Sequence, residues 1–348
     1  MKIGVTPLIS ENITPPNVTG LAIFDGNTKI CDIDISRMTL PNVGVKQYSF
    51  GLVSDMHLYG SESSWYGNQK FDNALTYFEN QNCIFCAHAG DITQSGFYND
   101  GDSANFAPGQ FAKYKEIRDK HTIPVYGICG NHESYVNPIT SNLSDLKTYT
   151  GTDLYYTVTQ GNDLFAFVGQ PQGNSPMSDD ALQWLYEVLE ANRNKRCFVF
   201  VHPHLSSGNP LGAYTSNNIF EWWGAKTTAF KNLLTHYKNT ILFHGHSHTK
   251  FECQSLDKKA NYNADDGFRS VHVPSLGRPR EIVDGVLSGY LNSDSEGYVV
   301  DVYANHIVLK GYDFITSDIV PIAQYCIDTS VQTIPAGTFT DPTGTIAT

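Results

Sequence analysis

The stretch FHGHSHT, Phe243 to Thr249, places three histidines at alternating positions, directly after the apolar segment TILF that predicts a strand. Side chains two residues apart in an extended chain point to the same side. His246 and His248 are therefore expected to converge on one object if the backbone stays extended after Gly245. A solvated loop with incidental histidines would show the same spacing, so the rest of the chain has to separate the two interpretations.

Four other predicted strands, YSFGLVS, CIFCAHA, IPVYGIC and CFVFV, are each followed by side chains that can bind a metal ion. These residues are Asp55 and His57, Asp91, Asn131, and His202. In open α/β sheets the carboxyl ends of neighbouring strands meet at one edge, where ligands bind. Carboxylate, amide and imidazole groups suit hard to borderline cations. Five strand ends of this composition, none of which delivers Lys or Arg, predict a metal-binding edge.

The number of candidate ligands predicts two metal ions rather than one. The full set is Asp55, His57, Asp91, Asn131, His202, His246 and His248. Two ions about 3.5–4 Å apart, bridged by a carboxylate, would turn a shared water into hydroxide near neutral pH and clamp phosphoryl oxygens, which is the chemistry of phosphate ester hydrolysis. His132 is left to protonate the leaving oxygen or to stabilise the transition state.

The order and spacing of these motifs resemble the calcineurin-like metallophosphoesterase superfamily. The resemblance rests on Asp55-x-His57, Gly90-Asp91, Gly130-Asn131-His132-Glu133, His202 and Gly245-His246-x-His248, and it spans residues 48–255. It implies an α/β fold in which two mixed β-sheets pack as a sandwich flanked by helices. It also implies one metal held by Asp55, His57, Asp91 and His248, and a second held by Asp91, Asn131, His202 and His246. Manganese, iron, zinc and nickel are the candidate metals, and His132 becomes the general acid.

Four more residues are candidates for the surroundings of this site. His204 and His244 are expected to hydrogen-bond a metal ligand or the phosphate. Arg278 and Arg280 are the most credible cations for a substrate phosphate. The long loops after Asp91 and after His204 either form a substrate-binding rim or cover hydrophobic surface.

The composition limits the class of partner. The chain has 348 residues, of which 41% are hydrophobic, and a net charge of −12. This acidity argues against a general nucleic-acid or anionic-membrane surface, and it requires local positive charge wherever an anionic substrate binds. The seven scattered cysteines, the lack of a signal-peptide core at the N-terminus and the lack of an apolar run of about 20 residues predict a cytoplasmic protein.

The order of elements predicts three parts. A β-like extension covers residues 1–47, the metallophosphoesterase domain covers 48–315, and a C-terminal extension over 316–348 ends in a loose polar tail. Within the domain, strands alternate with amphipathic helices up to residue 265, and strands alone follow.

Two classes of function are compatible with these observations. The first is hydrolysis of a small phosphorylated substrate, either a phosphomonoester or a phosphodiester. A nucleotide-like compound is among the candidates because bacterial cyclic-nucleotide phosphodiesterases have a similar motif set. The alternative is a non-catalytic binding or structural module that retains a metal site, for example a prophage-associated one, since the terminal extensions weakly resemble parts of such proteins. The loss of one or more ligand residues would favour the module, but all seven are present. The sequence leaves the substrate and the oligomeric state open.

Overall fold

The computed structural model describes residues 21–25, 28–33, 44–60, 67–94, 107–134, 143–171, 177–203, 226–254, 262–264, 267–283 and 286–348. Near the N-terminus, β1 (Leu21–Asp25) and β2 (Thr28–Ile33) pair as an antiparallel hairpin. This hairpin lies in the segment 1–47, for which the sequence predicts β-like structure.

The remaining described strands form two six-stranded sheets and a second hairpin. In chain order they are β3 (Tyr48–Val53), β4 (Cys86–His88), β5 (Val125–Gly127), β6 (Tyr155–Gln160), β7 (Asp163–Val168), β8 (Cys197–Phe200), β9 (Thr240–His244), β10 (Tyr262–Asn263), β11 (Arg269–His272), β12 (Arg280–Val283), β13 (Val286–Tyr290), β14 (Glu296–Val302), β15 (His306–Asp313) and β16 (Asp318–Asp328). The described helices are α1 (Asn68–Asn80), α2 (Ala107–Arg118), α3 (Leu143–Thr150), α4 (Asp179–Ala191), α5 (Lys226–His236) and α6 (Phe251–Gln254).

Both sheets are mixed. The first has the order β16-β15-β14-β3-β4-β5, in which β3, β4 and β5 are parallel and β14 runs antiparallel to β3. The second has the order β10-β11-β9-β8-β7-β6, in which β7, β8, β9 and β11 are parallel. β12 and β13 form a hairpin of their own.

The sheets pack face to face over an aromatic core. Phe50 of β3 contacts the rings of Phe165, Phe198 and Phe243 in the second sheet, with centroid distances of 5.4, 5.8 and 6.4 Å. Because side chains alternate along a strand, Val199 of β8 points the other way and joins the cluster formed with α4 and α5. Helices α1 and α2 pack on the first sheet in the same manner. The four layers confirm the predicted fold class.

The predicted helices and strands are present, with small shifts of their ends. Ser178 caps the N-terminus of α4, because its Oγ accepts a hydrogen bond from the backbone N–H of Ala181 at 3.1 Å. The sequence did not predict α3, α5, α6, the edge strands β6 and β10, or the hairpin of β12 and β13. None of the described helices has the length and apolar composition needed to span a bilayer.

A buried ion pair joins the two sheets at the end remote from the predicted metal ligands. Arg196 donates two hydrogen bonds to Asp163, of 3.0 and 2.6 Å, and the hydroxyl of Tyr48 on β3 donates to the same carboxylate. Arg196 also donates to the carbonyl of Tyr303 and the hydroxyl of Thr329, each at 2.8 Å. A buried pair of this kind adds little net stability, but removing one partner is costly, so it fixes the relative position of the strands.

The chain beyond β16 packs on α4 and α5, so the prediction of a loose tail is wrong. Ile334, Phe339 and Ile346 are buried in the cluster that these helices form with the second sheet. The carboxylate of Asp341 accepts hydrogen bonds from the backbone N–H groups of Thr345 and Ile346, each at 2.9 Å. The polar composition hid this arrangement because three apolar side chains carry the contact.

The predicted boundary between residues 315 and 316 stays a prediction. β16 lies on the C-terminal side of that boundary and is the edge strand of the first sheet, paired with β15. The segment 316–328 is therefore continuous with the sheet in its hydrogen bonding.

Phe339→Ala should lower the free energy of unfolding by about 3–5 kcal/mol, the usual cost of removing a buried phenylalanine ring. The ring contacts Tyr186, His236 and Tyr237 with centroid distances of 5.4, 5.4 and 5.8 Å. Urea denaturation followed by circular dichroism measures the change. Val331→Ala is the matched control, because Val331 is 45% exposed in the same segment. Equal, small effects of the two substitutions would show that the tail does not pack on the helices in solution.

Candidate metal centre

The predicted ligands follow strand ends that belong to both sheets, not to one sheet edge as expected. Asp55 and Asp91 follow β3 and β4 of the first sheet, whereas His202 and His246 follow β8 and β9 of the second. Backbone hydrogen bonds join successive loops: the N–H of Asp55 donates to the carbonyl of Gly90 at 3.0 Å. The N–H of His246 donates to the carboxylate of Asp55 at 3.0 Å, which connects the sheets. The site therefore lies where the two sheets meet.

Two clusters of potential ligand atoms result, and they share one residue. The first consists of Asp55, His57, Asp91 and His248, and the second of Asp91, His202 and His246; within each, the ligand atoms lie within 4.8 Å of one another. The amide oxygen of Asn131 lies 3.0 Å from His202 Nε2 and 3.1 Å from His246 Nδ1, so it adjoins the second cluster. The structure thus brings together all seven residues that the sequence predicted as ligands.

The spacing of the donor atoms fits metal coordination. Two ligand atoms that bind the same ion, each at about 2.1 Å, lie about 3–3.4 Å apart. In the first cluster, His248 Nε2 lies 3.0 Å from His57 Nε2 and 3.1 Å from Asp55 Oδ1. In the second, His202 Nε2 lies 3.2 Å from Asp91 Oδ2. These distances suit atoms that point at a common cation.

The backbone is left-handed at five of the seven candidate ligands, which corrects the expectation of an extended chain after Gly245. Positive φ angles occur at Asp55 (50°), His57 (49°), Asp91 (50°), His246 (75°) and His248 (61°). Among the described residues, Asn82 and Ser317 are the other non-glycine residues with positive φ. Such conformations cost on the order of 1–3 kcal/mol each and persist where the surroundings impose them. His246 and His248 consequently point into different clusters rather than to one object.

Glycines permit the close approach of the loops. A Cβ atom at Gly130 would lie 2.2 Å from Asp91 Oδ1, and one at Gly245 would lie 2.4 Å from Asp55 Oδ2. No side chain fits at either distance. The glycines that precede Asn131 and His246 are therefore required for the carboxylates to reach their positions.

Backbone carbonyl groups orient three of the histidines. The Nδ1–H groups of His202 and His248 donate to the carbonyls of Ala89 and Arg278, at 2.7 and 3.0 Å. His132 Nδ1 donates in the same way to the carbonyl of Gln94. Since a carbonyl oxygen can only accept, each ring carries a proton at Nδ1, and its Nε2 faces the centre. Outer hydrogen bonds of this kind are typical of metal-binding histidines.

The charges favour bound cations. Asp91 is 1% exposed, and among the described residues its Oδ2 accepts no hydrogen bond. Burial raises the pKa of Asp91, but the adjacent His202 and His132 outweigh that effect and hold the pKa well below its usual range. Burial lowers the pKa of His57 well below its usual value and that of His246 to about 3. An ionised carboxylate beside neutral imidazoles is the protonation state that metal binding needs.

His202 differs from the other histidines of the site. Burial lowers its pKa, but the carboxylates of Asp91 and Asp55 outweigh that effect and raise the pKa to about 9. A metal ion bound at Nε2 would have to displace a proton and would take over its role beside the two carboxylates.

Glu133, which completes the Gly130-Asn131-His132-Glu133 motif, supports the loops rather than facing the cluster. Its carboxylate accepts hydrogen bonds from the N–H and hydroxyl of Thr93 at 2.7 and 2.9 Å, and from the N–H of Gly130 at 2.7 Å. Burial, reinforced by the charge of Asp91, raises its pKa to about 7. Glu133 therefore joins the loop that carries Asn131 to the loop that follows Asp91.

The remaining predicted residues have different positions. His244 is buried at the end of β9 with its ring 5.5 Å from that of His272, and neither cluster includes it. His204 lies outside the described residues, as do most of the two loops predicted to form a substrate rim. Arg278 and Arg280 both lie beside the ring of Tyr290, with guanidinium carbons 3.5 and 5.0 Å from its centroid.

Sequence reasoning missed Gln94 and Tyr290. The side-chain oxygen of Gln94 accepts a hydrogen bond of 2.5 Å from Arg278, and its carbonyl accepts from His132. Tyr290 reaches the arginines because β12 and β13 pair with Arg280 opposite Tyr290. Neither residue belongs to a motif, and the hairpin register is not evident from the sequence, so no sequence signal marked them.

Comparison with known proteins identifies the family. Residues 48–250 match the family model described as calcineurin-like phosphoesterase. No match was found among curated protein sequences.

Several solved structures share the fold. A dimetal phosphatase from Danio rerio aligns with a TM-score of 0.58 at 15% identity, covering 82% of this chain and 100% of its own. A purple acid phosphatase from yellow lupin (Lupinus luteus) seeds gives 0.53 at 14% identity, covering 81% of this chain and 53% of its own. The anchor in the inner membrane complex of Plasmodium gives 0.52 at 14% identity, with coverages of 83% and 90%. At such identities these likenesses are evidence for the fold alone.

Asp91→Asn should remove more metal than His57→Ala, because Asp91 belongs to both clusters and His57 to one. We expect about two ions per chain in the unaltered protein, about one in His57→Ala and fewer than one in Asp91→Asn. Elemental analysis after reconstitution with manganese or zinc and gel filtration gives the content, and circular dichroism shows whether each variant is folded. Equal losses in the two variants would show that Asp91 is not shared, and fewer than one ion in the unaltered protein would contradict the two-metal centre.

Proposed function

The chain belongs to the calcineurin-like phosphoesterase family, a family of phosphoric ester hydrolases, and we propose that it hydrolyses a small phosphate ester with two metal ions. The observation that carries this proposal is that Asp91 is common to both clusters of ligand atoms. The proposed ligands are Asp55, His57, Asp91 and His248 for one ion, and Asp91, Asn131, His202 and His246 for the other. When bound, the ions would act as Lewis acids toward the phosphoryl oxygens and lower the pKa of the attacking water.

The mixed donor set bears on which metals bind. Imidazole ligands suit zinc, iron and nickel, and carboxylate and amide oxygens suit manganese. Both proposed sites combine the two types, so manganese, iron, zinc and nickel are the metals to test.

His132 is the proposed general acid. Its Nδ1–H is committed to the carbonyl of Gln94, so Nε2 is the atom that exchanges a proton with the substrate. Nε2 lies 3.9 Å from Asp91 Oδ2, and the ring packs edge-on against His57 with a centroid distance of 4.6 Å. The side chain is 20% exposed, more than those of Asp91 and His202, and is therefore accessible from the substrate side. To act as the acid, His132 has to be the imidazolium, with a proton at Nε2 as well as at Nδ1. As hydroxide oxygen bonds to phosphorus and the ester P–O bond breaks, the Nε2 proton passes to the leaving oxygen.

The alternative is a binding or structural module that retains its metal site without catalysis. The likeness to the Plasmodium anchor protein keeps this alternative in view, since a shared fold does not establish a shared function. The hydrolase is favoured because none of the seven ligand positions is lost and because His132 adjoins the cluster without belonging to it.

The test of the proposed function is a panel of substrates measured against a panel of metals. The substrates are 4-nitrophenyl phosphate, bis(4-nitrophenyl) phosphate and a set of nucleotides and sugar phosphates. The metals are manganese, iron, zinc and nickel, each added to protein first treated with a chelator. Activity that appears with metal, and that Asp91→Asn abolishes, supports hydrolysis. Full metal loading without turnover of any substrate would favour the binding module.

His132→Ala should leave the metal content unchanged and lower kcat by about 10²–10⁴-fold, the usual contribution of general acid–base catalysis. The loss should depend on the leaving group, because nitrophenolate leaves with little protonation and an alkoxide does not. The comparison of 4-nitrophenyl phosphate with an alkyl phosphate monoester measures this difference. Metal loss in His132→Ala would make the residue a ligand, and equal rate losses for both substrates would make it a positioning residue.

A further inference from the structure

Arg278 is a half-buried cation beside the proposed metal centre that has no acidic partner among the described residues. The guanidinium group has five N–H donors. One hydrogen bond, from Nη1 to Gln94 Oε1, is its only hydrogen bond within the described part of the chain. In a protein with a net charge of −12, an arginine that is ordered yet not paired with a carboxylate is available for an anion from outside.

We propose that Arg278 binds the phosphoryl group of the substrate and makes the enzyme select phosphate monoesters over phosphate diesters. This inference rests on the proposed function, and it names the substrate class that the sequence left open.

The backbone of Arg278 is fixed to the loop that carries Asp55. The hydroxyl of Ser275 donates to the carbonyl of Asp55 and accepts the N–H of Arg278, both at 2.8 Å. The N–H of Gly277 donates to the same carbonyl at 3.1 Å. From the other side, the ammonium group of Lys70 donates to the carbonyl of Gly277 at 3.0 Å. The position of Arg278 relative to the proposed ligands is therefore set by the backbone.

The side chain of Arg278 is also held in place, by a stacking contact and a hydrogen bond. The guanidinium carbon lies 3.5 Å from the centroid of Tyr290, a stacking contact that leaves the edge of the guanidinium free to donate. Gln94 holds one end of the group and also accepts from His132, the proposed acid. The carbonyl of Arg278 accepts from Nδ1 of His248, a proposed ligand. Arg278 is thus linked through Gln94 to the proposed acid and through its own carbonyl to a proposed ligand.

Charge distinguishes the two classes of ester. A phosphate monoester carries up to two negative charges and a diester carries one, so a cation fixed at the site stabilises the monoester more strongly. The planar guanidinium can also donate two parallel hydrogen bonds to phosphoryl oxygens. Esterification of a second oxygen removes charge and blocks part of that contact. Tyr290 and Gln94 act through Arg278 and are positioning residues.

Arg278→Ala tests the inference, with 4-nitrophenyl phosphate as the monoester and bis(4-nitrophenyl) phosphate as the diester. We expect kcat/KM for the monoester to fall by about 10- to 100-fold, the value of a charged hydrogen-bonded contact, and that for the diester to fall much less. The dissociation constant of inorganic phosphate, measured by calorimetry on the metal-loaded protein, should rise at least tenfold. Arg278→Lys should recover part of both losses.

Two further variants separate positioning from general damage. Tyr290→Phe keeps the ring and should preserve phosphate affinity, whereas Tyr290→Leu should weaken it. Arg269→Ala is the control for loss of an arginine. Arg269 is the first residue of β11, at the end of that strand away from Arg278, and it donates to the carbonyl of Lys238. It should change neither measurement.

The outcomes distinguish this inference from the proposed function. No hydrolysis of either ester or of any nucleotide by the metal-loaded unaltered protein would overturn the proposed function and this inference with it. Hydrolysis by the unaltered protein combined with equal losses for the two esters in Arg278→Ala would overturn only the selectivity. Unchanged phosphate affinity in Arg278→Ala and Arg278→Lys, or loss of metal in Arg278→Ala, would show that Arg278 does not bind the phosphoryl group.

Discussion

The buried carboxylate of Asp91 sets the charge balance on which the rest of the site depends. Its Oδ2 lies 3.2 Å from Nε2 of His202, 3.7 Å from Nε2 of His57 and 3.9 Å from Nε2 of His132. A carboxylate taken out of water has to be paired or to bind a metal ion. The three histidines come from three different loops, so surrounding this one carboxylate requires that strand ends from both sheets meet at the same place.

The left-handed residues follow from that requirement. To turn a side chain inward immediately after a strand ends, the backbone has to leave the extended conformation, and at Asp55, Asp91 and His246 it does so with positive φ. Backbone hydrogen bonds between neighbouring loops hold these strained conformations in place, as the bond from the N–H of Asp55 to the carbonyl of Gly90 shows. Gly130 and Gly245 remove the Cβ atoms that would keep the loops apart.

The sequence predicted most strands of the two sheets, three of the six described helices and every residue of the two clusters, because strands with ligand residues after them are local patterns. It did not predict the left-handed backbone at His246 and His248, because the alternation of histidines is read from the residues and not from their torsion angles. It missed Gln94 and Tyr290 because their contacts depend on loop and hairpin register. The packed C-terminal tail was missed because Phe339 and two isoleucines are sparse in a segment that is polar on average.

Arg278 has two roles in different parts of one residue, and these roles have a thermodynamic consequence. Its carbonyl orients the ring of His248, and its guanidinium is the group proposed to bind the phosphoryl group. A ligand that shifts the guanidinium therefore also acts on the orientation of an imidazole in the first cluster. Coupling between two binding events is reciprocal, so phosphate would tighten metal binding by the same factor by which metal tightens phosphate binding. The affinity of the centre for its ions is then a function of the phosphate concentration around it.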